Sequence, residues 1–182
     1  NSDDVLDEQD RTKIGDPWPD FVYGLSLGAT WKGFDFNVFF QGSQGNDVLN
    51  MTLRDFESGT GTMNAREGFL NRAWNGEGST DKYHRISAEQ GQNSEISDYF
   101  VEDGSYLRLK NLQLGYNFCE RLLKIKGISY LRLYVSAQNL FTLTKYSGLD
   151  PEIGSSNATL NGIDQGFYPQ ARTWTVGLNI KF

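Results

Sequence analysis

The sequence predicts an all-β chain: an antiparallel sheet of the kind that forms the wall of a transmembrane β-barrel, present as a piece that does not close by itself. Three observations carry this. Five segments alternate apolar and polar residues with period two. The connections between them alternate strictly between short and long, as periplasmic turns and extracellular loops do. The polar face of each segment is built largely from Gly, Ser, Thr, Asn and Gln, which suits a wet lumen. A mean hydropathy of -0.52 and the lack of a long apolar run exclude a transmembrane helix. They do not speak against strands, which turn only alternate residues toward lipid.

In the first segment Phe21, Tyr23, Leu25, Leu27, Ala29 and Trp31 share one face, with Val22, Gly24, Ser26, Gly28 and Thr30 opposite. Lys32-Gly33 makes a tight reversal into the second. There Phe34, Phe36, Val38 and Phe40 oppose Asp35, Asn37, Phe39 and Gln41. The third segment, Tyr106 to Phe118, changes phase. Leu107 and Leu109 have one parity, and Leu112, Leu114, Tyr116 and Phe118 the other. A bulge near Lys110-Asn111 accounts for this, as would a strand whose upper half leaves the membrane. The fourth sets Leu131, Leu133, Val135 and Ala137 against Tyr130, Arg132, Tyr134, Ser136 and Gln138. The fifth sets Trp174, Val176, Leu178, Ile180 and Phe182 against Thr173, Thr175, Gly177, Asn179 and Lys181.

The lipid-facing set is therefore expected to include Leu131, Leu133, Val135, Trp174, Val176, Leu178, Ile180 and Phe182. With the C-terminus in the periplasm, the acidic stretch 1–20 and the loops 42–105 and 142–170 all fall outside the cell. The connection from Cys119 to Ser129 is of moderate length, with room for one helical turn around Glu120–Lys126. Aromatic residues then gather at both strand ends: Trp31, Phe34, Phe118, Tyr130 and Phe182 inside, Phe141, Tyr146, Tyr168 and Trp174 outside. Five strands cannot close a barrel, whose smallest forms have about eight. Two open edges in hydrocarbon would leave backbone groups unpaired, so other strands must complete the wall. The rival reading is a soluble or surface-exposed β-rich domain acting as an adhesin or glycan-binding module, since alternation first of all marks a half-buried sheet.

Composition excludes other classes. A net charge of -6 argues against nucleic acid as partner. Cys119 is the single cysteine and His84 the single histidine, so an internal disulfide and a His/Cys zinc site are both ruled out as expectations. No nucleophile motif surrounds His84, and no catalytic grouping is visible, so no enzymatic activity is expected. Acidic pairs such as Glu102-Asp103 read as solvated loop charges. The opening NSDDVLDEQD shows no secretory signal, which places any export signal upstream.

Several stretches resemble the C-terminal region of SusC/RagA-family TonB-dependent transporters of Bacteroidetes. They are DRTKIGDPWPDFVYGLSL (10–27), GFDFNVFFQGSQGNDVLN (33–50), SDYFVEDGSYLRLKNLQLGYNF (97–118), LRLYVSAQNLFTLTKYSGLDPEI (131–153) and GIDQGFYPQARTWTVGLNIKF (162–182). The resemblance covers nearly the whole chain and is weakest over 52–93. It implies the last five or so strands of an outer-membrane barrel of about 22 strands, plugged by an upstream domain. It further implies import of oligosaccharides or peptides, energy drawn through TonB from the missing N-terminal region, and a SusD-like surface lipoprotein as lid.

Two candidate sites remain. On the spacing of a D-x-N-x-D-x-x-x-D-x-x-D loop, Asn1, Asp3, Asp7 and Asp10 would offer side chains to calcium and Val5 its carbonyl, the first aspartate lying upstream. A solvated acidic loop that binds nothing tightly is the alternative reading of these residues. The loop 42–105 is too long for a mere connection. Trp74, Tyr83 and Arg85 are its candidates for contact with substrate or lid, by ring stacking or by pairing with carboxylates. Packing of the loop against itself or the lid is the alternative reading of its aromatic residues. The stretch Tyr146–Pro151 reads as a turn first and a partner contact second.

Overall fold

A computed structural model describes residues 8–57, 64–87, 92–118, 127–154 and 158–182. The chain divides into two compact units. One comprises Pro19–Gly45, Gly104–Lys145 and Tyr168–Phe182; the other Asn1–Trp18, Asn46–Asp103 and Tyr146–Phe167.

The first unit is an antiparallel sheet. Its strands are β1 (Phe21–Trp31), β2 (Phe34–Gln44), β5 (Tyr106–Phe118), β6 (Tyr130–Gln138) and β9 (Thr173–Lys181), in the order β1-β2-β5-β6-β9. A short strand, β7 (Thr142–Thr144), also pairs with β5. Each of the five segments that alternate in the sequence is a strand here. The second runs on to Gln44, and Thr142–Thr144 lies in the sheet, so both long connections begin later than the alternation suggests.

The β1–β2 reversal takes positive φ at both Lys32 (47°) and Gly33 (91°), the geometry that matches the twist of a two-residue hairpin. Gly33 carries it without strain, and its carbonyl accepts the backbone N–H of Asn117 at 2.7 Å. In β5 the phase change is a bulge: Phe39 pairs with Asn111 and Phe40 with Leu109, so Lys110 is the extra residue on β5. The extra residue returns Leu107 and Leu109 to the face of Leu112 and Leu114. On the other side of Lys110 the ladder breaks between β6 and β7. There Asn139 takes φ 52° and donates its N–H to the Lys110 carbonyl.

The register joins one apolar face across all five strands. One rung reads Trp31, Phe34, Tyr116, Leu133, Leu178; the next reads Ala29, Phe36, Leu114, Val135, Val176. Many of these side chains are exposed, Val176 at 72% and Trp31 at 67%. Contiguous exposed apolar surface of this extent marks a face that meets lipid or another protein. The opposite face is polar and unusually flat, because glycines sit beneath large neighbours. A β-carbon on Gly177 would overlap the Tyr134 ring, and one on Gly115 would overlap Asp35 and Arg132.

The second unit contains its own three-stranded sheet: β3 (Asp47–Asn50) pairs antiparallel with β4 (Val101–Asp103) and parallel with β8 (Ile163–Asp164). Helices α1 (Met51–Glu57) and α2 (Phe69–Arg72) follow β3. The two long connections and the leading segment are thus parts of one folded body. Tyr146, expected in an outer aromatic girdle, is instead buried there, its hydroxyl donating to Asp164 at 2.5 Å. Glu102 is no idle solvated charge. It accepts hydrogen bonds from Asn50 Nδ2 (2.9 Å) and from the N–H and hydroxyl of Ser147 (2.7 and 2.8 Å). The connection residues 119–126, with the turn suggested at Glu120–Lys126, lie outside the described residues.

Replacing Gly177 by Val should cost about 1–3 kcal/mol, because Tyr134 must leave its low-energy position over the backbone. The measurement is a lowered unfolding midpoint of the detergent-folded protein.

Candidate functional site

On the polar face of the sheet, a charge pair crosses an intervening strand. Asp35 on β2 and Arg132 on β6 are separated by β5, where Asp35 pairs with Gly115 and Arg132 with Asn117, so the contact runs diagonally over Gly115. With no side chain at that position, Arg132 lies flat and reaches across. Its Nε donates to Asp35 Oδ2 at 2.8 Å and its Nη2 to Oδ1, a bidentate pair. Asn117 Nδ2 also donates to Oδ2 (3.0 Å), and the Tyr130 hydroxyl donates to Asn117 Oδ1 at 2.6 Å. The guanidinium lies 4.9 Å from the Tyr134 ring centroid. Charges, amide and phenol thus form one network that ties β2, β5 and β6 on the face away from the apolar surface. The pair was readable as opposite charges on otherwise neutral polar faces. Its contact was not, because it depends on a register spanning three strands.

In the second unit, Glu57 is the hub. Its side chain is buried in a unit of mostly exposed charges, at 2% residue exposure. The carboxylate accepts the Tyr99 hydroxyl at 2.8 Å and faces Arg66 at 3.9 Å, and its backbone carbonyl lies 2.6 Å from His84 Nε2. Rings of Phe69, His84, Tyr99 and Phe100 stack in sequence, with centroids 5.4, 5.6 and 5.0 Å apart. One residue at the end of α1 therefore binds Arg66, His84 and Tyr99, and α2 joins the cluster through Phe69 against the His84 ring. Burial, and then the Glu57 carboxylate, push the Tyr99 phenol well above its ordinary value. Burial and Asp164 do the same to Tyr146. Both phenols are therefore neutral donors at physiological pH, and what they contribute is lost only as pH rises beyond the usual phenol range.

The predicted contact residues fall around this hub. Tyr83 is half-buried, with the Arg72 guanidinium 5.0 Å and the Lys82 ammonium 5.6 Å from its ring centroid. Trp74 and Arg85 form a parallel bridge, with the Trp74 N–H bonded to the His84 carbonyl, and both side chains are exposed. Of the predicted calcium ligands, Asn1, Asp3, Val5 and Asp7 lie outside the described residues. Asp10 ends a short 3-10 turn, Glu8–Asp10. Among the described residues, no three His, Cys, Asp or Glu side chains converge as a metal would require.

A sheet with one continuous exposed apolar face, a polar opposite face and two unpaired outer edges is a segment of the wall of a transmembrane β-barrel. Comparison with known proteins agrees. No protein-family model matches the chain. The TonB-dependent receptor P3 of Formosa agariphila is 44% identical over 179 residues, covering 95% of this chain and 17% of that protein. The TonB-dependent receptor SusC of Bacteroides thetaiotaomicron is 34% identical over 191 residues, covering 100% and 17%. Among solved structures, the RagAB peptide importer in its open-open state matches with a TM-score of 0.77 at 30% identity, over 91% of this chain and 17% of that one. The chain belongs, as a barrel segment, to the SusC/RagA family of TonB-dependent receptors, and it spans about 17% of the length of the first of these relatives.

Removing Asp35 alone (Asp35→Ala) should cost about 1–3 kcal/mol, since it leaves the Arg132 charge without its acceptor on a mostly covered site. Asp35→Ala with Arg132→Ala should cost less than the sum of the two single changes, as measured by a double-mutant cycle of barrel stability. For the hub, Glu57→Ala should leave the barrel unfolding midpoint unchanged and speed proteolytic cleavage within 64–100, because Tyr99 and Arg66 lose their shared carboxylate.

Proposed function

We propose that this chain supplies part of the wall and the loops of a TonB-dependent importer of oligosaccharides or peptides that works with a SusD-like surface lipoprotein. The observation that carries this is the apolar face, continuous across five strands and backed by a polar one, in a segment that aligns with receptors of this kind over nearly its full length. In this reading Leu131, Leu133, Val135, Trp174, Val176, Leu178, Ile180 and Phe182 meet lipid. The Asp35–Arg132 network faces the lumen, beside a plug and strands supplied by the rest of the protein. The connections 42–105 and 142–170 and the stretch 1–20 lie outside the cell, and the C-terminus lies in the periplasm. TonB, acting on another part of the protein, supplies energy.

The chain's own work is passive. It seals the lumen from hydrocarbon, lines it with hydrogen-bonding groups, and carries a loop unit whose Trp74, Tyr83 and Arg85 are, in this reading, the contacts to substrate or lid. Asn1, Asp3, Val5, Asp7 and Asp10 stand in this reading as ligands of a calcium ion. Calorimetric titration of the full-length receptor tests them, and no heat at millimolar calcium would remove the site.

The central experiment is assembly. Leu133→Lys and Val176→Lys each place an ammonium at mid-strand on the proposed lipid face, at a cost of about 2–4 kcal/mol near the bilayer midplane. Both should reduce the full-length receptor recovered from the outer membrane, whereas Thr175→Lys on the polar face should not. Normal assembly of the lipid-face variants, or a chain soluble without detergent, would instead favour a surface β domain.

A further inference from the structure

Two Asn-Gly dipeptides lie in the loop unit, Asn75-Gly76 and Asn161-Gly162. In such a dipeptide the backbone nitrogen of the glycine can attack the preceding side-chain amide, because no β-carbon blocks its approach. We propose that Asn75 is a site of this self-modification in the folded protein, converted with water to aspartate and isoaspartate, while the fold holds Asn161 back.

Asn75 is exposed, and among the described residues its side chain makes no hydrogen bond and the Gly76 N–H finds no acceptor. The turn 75–79 is closed instead through its flanks. The Asn75 N–H donates to Ser79 Oγ at 3.1 Å, and the Gly76 carbonyl accepts the Ser79 N–H (3.1 Å) and hydroxyl (2.6 Å). The two reacting groups are thus left free at the surface of a closed turn. Gly76 takes φ 147°, and a β-carbon there would meet nothing within 4 Å. The space that a cyclic imide needs is open.

Asn161 has the opposite surroundings. Gly162 is buried, its carbonyl accepts the Leu49 N–H at 2.8 Å, and a β-carbon on it would lie 2.5 Å from Pro17. Ile163 then pairs with Leu49. Turning this peptide into a ring would break the pairing of β8 with β3.

The step needs no oxidant and no cofactor. The Gly76 nitrogen loses its proton to solvent and bonds to Asn75 Cγ, the Cγ–Nδ2 bond breaks, and ammonia leaves. Water then opens the imide. Breaking the bond from the Gly76 nitrogen to Cγ gives aspartate. Breaking its bond to the main-chain carbonyl carbon gives isoaspartate, whose main chain is longer by one carbon. Either product adds a negative charge next to exposed Trp74, and so changes the loop surface where contact with substrate or lid is proposed.

The test is timed incubation of the detergent-solubilised full-length receptor in neutral buffer, followed by tryptic digestion and mass spectrometry. Cleavage after Arg72 and Lys82 isolates Asn75 in residues 73–82. The amide-to-carboxylate mass gain should appear at Asn75 at least about tenfold faster than at Asn161, equivalent to a barrier difference of about 1.4 kcal/mol. In denaturing guanidinium, with the fold gone, the two rates should converge. Asn75→Gln, which would need a larger ring, should leave the same peptide unmodified. No mass gain at Asn75, or equal rates at the two sites in the folded receptor, would overturn the proposal.

Discussion

Inside hydrocarbon there is no water to satisfy a backbone N–H or C=O group, and each unpaired group costs several kcal/mol. That constraint governs the sheet. It demands long strands paired along their length, and β1, β2, β5, β6 and β9 meet it with ladders of eight or more residue pairs at each interface. Pairing then fixes register, and register fixes which side chains face which way. A slip of one residue in β9 would carry Val176, Leu178 and Ile180 to the polar face. The bulge at Lys110 works in the same direction: it keeps Leu107 and Leu109 on the apolar side when the sequence changes phase.

The polar face follows from the same register. Glycines at 115 and 177 cost the strands some stability, of the order of 0.5–1 kcal/mol each relative to alanine. In return Arg132 and Tyr134 lie flat, and the guanidinium reaches a carboxylate two strands away. A charged network becomes tolerable in a barrel wall because both of its charges are paired and it sits on the face opposite the apolar one. The loop unit is organised by the same need at smaller scale. Buried Glu57 and Asp164 are held by phenols and amides, not by counter-charges alone, and each ties together segments distant in sequence.

The strands were legible because period-two alternation is a direct consequence of lipid on one side and water on the other. Val176, Leu178 and Ile180 against Thr175, Gly177 and Asn179 can be read in one direction only. The bulge was legible for the same reason, as a parity error between Leu109 and Leu112. The loop unit was not. Its strands are two to four residues long, too short to show a period, and β3 pairs with β8 across more than a hundred residues of chain. Glu102 and Tyr146 looked like a surface charge and a girdle ring because their partners, Ser147 and Asp164, are placed by that hidden pairing. Tyr83 was singled out from composition. The Glu57 hub that orders its surroundings carries no motif at all.

The most direct test of the account is depth and face accessibility along β9 in the full-length receptor reconstituted in lipid. Nitroxide labels placed singly at 173–181 would be read for collision with oxygen, which concentrates in the bilayer, and with a water-soluble nickel chelate. The account predicts a period-two oscillation, with oxygen maxima at 174, 176, 178 and 180 and nickel maxima at the positions between. Uniform access to nickel, or an oscillation of the opposite phase, would contradict it.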